Sequence, residues 1–188
     1  MFHFLQGDRT SQMRTHLARL PLHATVRAPQ MATSLPSRPR QVGPRRSIGI
    51  VASQYHPAFI DGLVQHVRAE IETISPGTGV QVWEVPGAFE IPLVVAQVAA
   101  RPEIDAVIAL GVIIEGQTAH GALVGQSVTE ALMRVMLNTG VPVIHEVLLL
   151  QNEEQARVRC VEDELNRGTE AARVAMQMAQ VMGQFPRR

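Results

Sequence analysis

The chain has no lysine: all seventeen basic residues among its 188 are arginine. That excludes a lysine Schiff base and the lysine of a Walker-type phosphate loop. A single cysteine, Cys160, rules out an intrachain disulfide and a cysteine-built zinc site. A reducing compartment, the cytoplasm, is therefore the default expectation. No apolar run approaches the ~18–20 residues of a membrane helix, so no membrane association is expected. No two histidines share a helix face at ligand spacing, so neither a metal site nor a metal cofactor is expected. What is present, with 46% hydrophobic residues, suffices for one soluble domain with a substantial core.

The formal net charge of zero hides an asymmetry. Residues 1–46 hold eight arginines and one acid, Asp8 (8 − 1 = +7), whereas residues 47–188 hold nine arginines and sixteen acids (9 − 16 = −7). Residues 1–46 also carry Pro21, Pro29, Pro36, Pro39 and Pro44 and no sustained apolar period. Such a segment buries too little to offset its ordering entropy, so a disordered basic extension is expected over 1–46 and a folded domain over 47–188. The extension reads equally as a real arm or as a start placed upstream of Met31, with an organelle transit peptide as a third reading. It has no aromatic interleaving and no nucleic-acid motif, so no nucleic-acid partner is expected.

From Ser47 onward the pattern alternates. Ile48–Ala52 reads as a short strand and residues 58–73 as a helix, with Phe59, Leu63, Val67 and Ile71 on one face. Val80–Val85 is a second strand, and Pro86-Gly87 leads into a helix over 90–100, with Pro92 in its first turn. An unbroken apolar run, Ala106–Leu110, meets Gly111 and is carried on by Val112–Ile114, the mark of a strand buried on both faces. A helix over 122–138 stops at Asn138-Thr139-Gly140, and Val141–Leu150 is a fourth strand. A last helical region starts near Asn152, breaks at Arg167-Gly168 and resumes to Met182. Strands alternating with helices predict a flavodoxin-like three-layer α/β/α sandwich, a four-stranded parallel sheet with helices on both faces.

That topology brings four loops, 53–57, 86–90, 111–120 and 145–152, to the rim at the strands' C-terminal ends, where ligands bind in open α/β sheets. His120 lies at a helix start and offers an imidazole for proton transfer, or simply a surface or capping group. Gly116, Gln117 and Thr118 can cradle a phosphate through N–H groups and a hydroxyl, although glycine loops before helices are common. Gly87-Ala88-Phe89-Glu90 sets a carboxylate at a helix start, a charge that can also just stabilise the helix. Tyr55, the only tyrosine, can stack on a flat ring or cover the sheet edge. Arg157, Arg159 and Arg167 lie close in sequence, and one can pair with phosphate. His145 and Glu146 interrupt an apolar strand, and alternation sends them to opposite faces. His56 and His66 read as surface residues.

Together, IGIVASQYH, VPGAFEIP, DAVIALGVIIEGQTAH and VPVIHEVLLLQNEEQARVR followed by NRGTEAA resemble the 6,7-dimethyl-8-ribityllumazine synthase family, from about Ser47 to Met182. The resemblance implies a riboflavin-biosynthetic transferase that condenses 5-amino-6-(D-ribitylamino)uracil with 3,4-dihydroxy-2-butanone 4-phosphate, without metal or organic cofactor. It implies His120 for proton transfer, and Tyr55, Gly87, Ala88, Phe89, Glu90, Val112, Ile113 and His145 around the uracil and ribityl chain. Gly116, Gln117, Thr118 and Arg159 would hold the phosphate. It further implies a homo-oligomer built from pentamers with sites shared between subunits, Arg159 arriving across the interface, and association with riboflavin synthase.

The chain departs from the family pattern in places. Glu115 stands at a usually basic position, Gly121-Ala122-Leu123 replaces Phe-Asp-Tyr or similar, His145 replaces a pocket phenylalanine, Glu146 a small residue, and Arg167 a lysine. These departures motivate a rival reading, a non-catalytic relative that binds a flavin-like or lumazine-like ring or builds a shell. From α/β physics alone a third remains, an unrelated phosphate-binding module.

Because residues 1–30 offer no core-forming pattern, their deletion should leave fold, assembly and turnover intact. A lost oligomer or a large fall in melting temperature on deletion would contradict this.

Overall fold

The structure, a computed structural model, describes residues 34–40 and 44–186. The expectation of a disordered extension falls mostly on residues outside these. From Ser47 the chain forms β1 (Ser47–Ser53), α1 (Pro57–Ile74), β2 (Gly79–Val85), a 3₁₀ turn (Ala88–Glu90) running into α2 (Ile91–Ala99), β3 (Ala106–Ile114), α3 (His120–Thr139), β4 (Val143–Leu150), α4 (Glu153–Cys160) and α5 (Arg167–Met182).

All strand pairs are parallel, in the order β2-β1-β3-β4. This is the flavodoxin-like winding, whose direction reverses between β1 and β3. The two inner strands are buried on both faces, and the period of two sorts their side chains. Ile48, Ile50, Ala52, Ala106, Ile108 and Leu110 point to one layer, where they meet Leu63, Val67 and Ile71 of α1 and Ala172, Ala175 and Met176 of α5. Val51, Val107 and Ala109 point to the other, against Ile91 and Val95 of α2 and Val128 and Leu132 of α3.

Two glycines set how closely the α1–α4–α5 layer packs. A Cβ on Gly62 would lie 2.5 Å from the Cys160 carbonyl oxygen, and one on Gly168 would lie 2.4 Å from that of Leu63. Gly168 is therefore a contact residue. The expected break at Arg167-Gly168 falls instead on residues 161–166, and α5 starts at Arg167, capped by Asn166, whose Oδ1 accepts from the Gly168 N–H at 2.8 Å. Other boundaries agree to within two residues. Phe59 is only half-buried, and Ile60 takes its place in the buried stripe of α1.

Residues 34–40 are strapped to this helical layer. The Arg38 guanidinium donates to both carboxylate oxygens of buried Glu70 at 2.7 and 2.9 Å. Arg173 donates to Glu70 Oε1 at 2.8 Å and to the Pro36 carbonyl at 2.7 Å. Arg38 holds the Glu70 carboxyl below its ordinary range.

His145 and Glu146 do point to opposite faces. Glu146 lies against α5, where its Oε2 accepts from Arg167 Nε at 3.0 Å while Arg167 Nη1 donates to Glu170. Burial pushes the Glu146 carboxyl up to about 7, against the pull of Arg167. A raised carboxyl stabilises the fold below its unfolded value, and that contribution is lost as pH rises through the folded one. Between pH 4.5 and 7.5 the wild type should thus lose on the order of 3 kcal/mol relative to Glu146→Gln. Chemical denaturation across that window is the check, and parallel stability curves for the two proteins would contradict the assignment.

Candidate functional site

A cleft of ≈ 350 Å³ opens at the C-terminal ends of β2, β1 and β3, beside the point where the winding reverses. Tyr55 and His56 enter it from the β1–α1 loop, Gly87–Glu90 from the turn before α2, Val112–Ile114 from β3, and His120, Gly121 and Val124 from the first turns of α3. A larger depression of ≈ 1010 Å³ lies at the other end of the sheet, lined by Arg46 and the C-terminal ends of α2, α3 and α5. It offers neither an imidazole nor a helix N-terminus, so the rim cleft is the candidate site.

Each wall has a local cause. Gly87 is extended, and a Cβ there would sit 3.0 Å from Glu90 Oε2 and 3.4 Å from the Tyr55 ring. Its hydrogen lets ring and carboxylate close on the same turn. Tyr55 and Phe89 remain 68% and 64% exposed, so each ring keeps surface open to a ligand. α3 begins at His120, two residues earlier than the sequence suggests, because Thr118 and Ala119 turn the chain after β3. No side chain caps its start in the usual way. The nearest hydroxyl, Thr118 Oγ1, accepts from the His120 N–H at a long 3.5 Å. The free N–H groups and positive end of a 20-residue helix thus face the open Glu115–Ala119 loop, an arrangement suited to an anion.

The cleft lining therefore gathers Tyr55, Gly87, Ala88, Phe89, Glu90, Val112, Ile113 and His120. Gly116, Gln117 and Thr118 are exposed beside it, not within its lining. Arg159 and His145 also lie outside it. Of the four arginines of α4 and α5, Arg157 pairs with Glu154 and Glu162, Arg167 with Glu146 and Glu170, and Arg173 with Glu70. Arg159, half-buried, makes no ion pair or side-chain hydrogen bond among the described residues.

His145 turns toward α3. Its Nε2 lies 2.8 Å from Thr129 Oγ1, the hydroxyl that already donates to the Gly125 carbonyl at 2.8 Å. Thr129 has one proton to give, so Nε2–H donates and Nδ1 is left to accept from the Val147 N–H at 3.4 Å. Burial pushes the imidazole below its usual range, consistent with this neutral tautomer. Cys160, buried near Glu146, is raised to about 12 chiefly by desolvation, which makes it an inert thiol.

Two histidines differ from the surface reading. His66 bridges α1 to the Val161 carbonyl at 3.2 Å and to Thr169 Oγ1 at 3.4 Å. His56 is half-buried in the cleft wall. The only sequence signal for it was its place beside Tyr55 and before Pro57. Among the described residues no group of three or more His, Cys, Asp or Glu side chains is disposed to hold a metal.

The family model described as 6,7-dimethyl-8-ribityllumazine synthase matches residues 45–183. The chain is 38% identical over 143 residues to the 6,7-dimethyl-8-ribityllumazine synthase of Paraburkholderia phytofirmans, covering 76% of this chain and 83% of that protein. It is 38% identical over 142 residues to the synthase of Methylibium petroleiphilum, covering 75% and 86%. With that of Burkholderia vietnamiensis it shares 37% over 143 residues, covering 76% and 82%.

Proposed function

Since the chain belongs to the 6,7-dimethyl-8-ribityllumazine synthase family, we propose that the rim cleft carries out that family's condensation. 5-Amino-6-(D-ribitylamino)uracil and 3,4-dihydroxy-2-butanone 4-phosphate give 6,7-dimethyl-8-ribityllumazine, phosphate and water, a step of riboflavin biosynthesis. The observation that carries this reading is the convergence of a stackable ring, a carboxylate, an imidazole and an uncapped helix start on one cleft.

In this reading Tyr55 stacks on the uracil ring, and Gly87, Ala88, Phe89 and Glu90 surround the pyrimidine and ribityl chain, Glu90 accepting hydroxyl protons. Backbone groups of Val112 and Ile113 hold the ring edge. The substrate's own amine forms the imine, so a chain without lysine lacks nothing that this step needs. His120 takes protons from the reacting nitrogen and carbon. Gly116, Gln117, Thr118 and the start of α3 receive the phosphate. No cofactor is required.

We assign Arg159 to the phosphate of a neighbouring subunit's cleft and His145 to the ring pocket. Leu123, Met133 and Leu137 of α3 are exposed apolar side chains, as are Leu93 of α2 and Phe89 of the 3₁₀ turn, two elements that α3 packs against. Such surface asks for a partner, and a pentamer of this chain supplies one. The same reading makes the protein cytoplasmic and riboflavin synthase its candidate companion.

The test is direct: purified protein with both substrates should form lumazine, followed by absorbance and fluorescence. No product above the uncatalysed background would leave only a ring-binding, non-catalytic relative. His120→Ala should slow turnover by on the order of 10- to 1,000-fold with ligand affinity nearly unchanged, since positioning and spontaneous condensation survive. Full activity in that variant would make the residue structural.

Arg159→Ala should raise KM for the butanone phosphate far more than KM for the uracil, by about 1.5–3 kcal/mol, the range for a hydrogen bond to a charged group. Arg159→Lys should recover only part, because a point charge cannot form the fork. Co-assembling Arg159→Ala subunits with His120→Ala subunits should regenerate active sites at mixed interfaces. Mixed oligomers no more active than the separate variants would place both residues in one subunit's site, or remove Arg159 from it.

A further inference from the structure

His56 is the only residue other than glycine with positive φ among the described residues, at φ 58° and ψ 59°. The left-handed region is uncommon for a side-chain-bearing residue, and such outliers gather at functional sites. Here the local fold imposes it. The His56 carbonyl must start α1, accepting from the Phe59 and Ile60 N–H groups at 3.0 and 3.2 Å, and Pro57 follows at the first helical position. The chain turns sharply at His56, and its side chain joins the cleft wall.

The imidazole there is held without being used. Its ring lies against Phe59, centroids 6.2 Å apart and tilted 34°, and it has no polar side-chain or backbone partner among the described residues. The other imidazoles with ring partners, His66 and His145, are both hydrogen-bonded into the fold. The cleft thus contains two imidazoles without polar partners, His56 from the end of β1 and His120 from beyond β3, on neighbouring strands. The remaining ionisable groups of the lining are Glu90 and Tyr55.

Resting on the reaction assigned above, we propose that His56 is a second catalytic residue, a proton donor working across the cleft from His120. The condensation contains a step that needs both at once. The uracil amine adds to the butanone carbonyl to give a carbinolamine, which must lose water. Protonated His56 gives its N–H proton to the carbinolamine hydroxyl. The C–O bond breaks and its electron pair leaves with oxygen as water. Neutral His120 takes the proton from nitrogen, and the electron pair left there closes the C=N bond. The two histidines end with their protonation states exchanged, and solvent restores them between turnovers. One imidazole can serve such a step only in sequence, whereas two flanking imidazoles serve it in concert.

The test compares wild type with His56→Asn and His56→Gly in the assembled enzyme. Both replacements tolerate the left-handed backbone and neither titrates. kcat of both variants should fall by on the order of 10- to 100-fold, with KM for each substrate within about threefold and melting temperature unchanged. The pH profile of kcat should lose its alkaline limb, the limb of a donor that must be protonated, and keep the acid limb of His120. Wild-type kcat with an unchanged two-limbed profile in both variants would overturn the proposal. A rise in KM with kcat unchanged would overturn it too, making His56 a binding residue only. A wild type that forms no lumazine overturns the functional reading and this proposal together, whereas an active wild type with unaltered variants overturns this proposal alone.

Discussion

The structure depends on β1 and β3 being covered on both faces. Ile48, Ile50, Val51, Val107, Ile108 and Leu110 are fully buried, and five consecutive β1 residues pair with five of β3. Such strands leave no lateral outlet for a polar group. Chemistry can enter only where they end, and the loops that follow them diverge because α1 goes to one face and α2 and α3 to the other. The cleft is what that divergence leaves open. Tyr55, His56 and Val112–Ile114 stand at its mouth because Ser53 and Ile114 are the last residues of these strands.

This constraint also decides what the sequence could disclose. The apolar run of β3 could be read as a doubly buried strand without coordinates, since it shows no polar alternation and is too short for a buried helix. The four-strand parallel architecture followed from the alternation of strands with helices. Helix boundaries were less legible, for reasons visible at particular residues. Gly168 looked like a break because glycine is a poor helix former. Yet the missing Cβ serves the contact with Leu63, a partner more than a hundred positions away that no local window registers. The Arg38–Glu70–Arg173 strap was hidden for the same reason, its partners being 32 and 103 residues apart.

The candidate site shows the same division. Tyr55, Gly87–Glu90 and His120 could be named because each belongs to a compact motif next to a strand end. His56 could not, since a half-exposed histidine beside a proline carries no mark of a left-handed backbone. The partners of His145 and Glu146 were equally hidden. Period-two alternation required opposite faces for them, but Thr129 and Arg167 come from helices on either side of the sheet.

An arginine-only chain gives these pairings a common physical basis. A guanidinium forms two parallel bonds to one carboxylate, as Arg38 does with Glu70, or divides its fork between two, as Arg167 does with Glu146 and Glu170. A lysine, a single point of charge, can direct no such planar fork, and the desolvation of a buried carboxylate such as Glu146 would be less well offset. The same consumption of guanidinium groups inside the α1–α4–α5 layer isolates one of them. Arg157, Arg167 and Arg173 are all committed to carboxylates, and the layer supplies none to Arg159. Half-buried Arg159 is thus left, among the described residues, with no carboxylate partner in its own subunit. The phosphate proposed above for Arg159 would give it the charge-assisted partner that the other three arginines find within the layer.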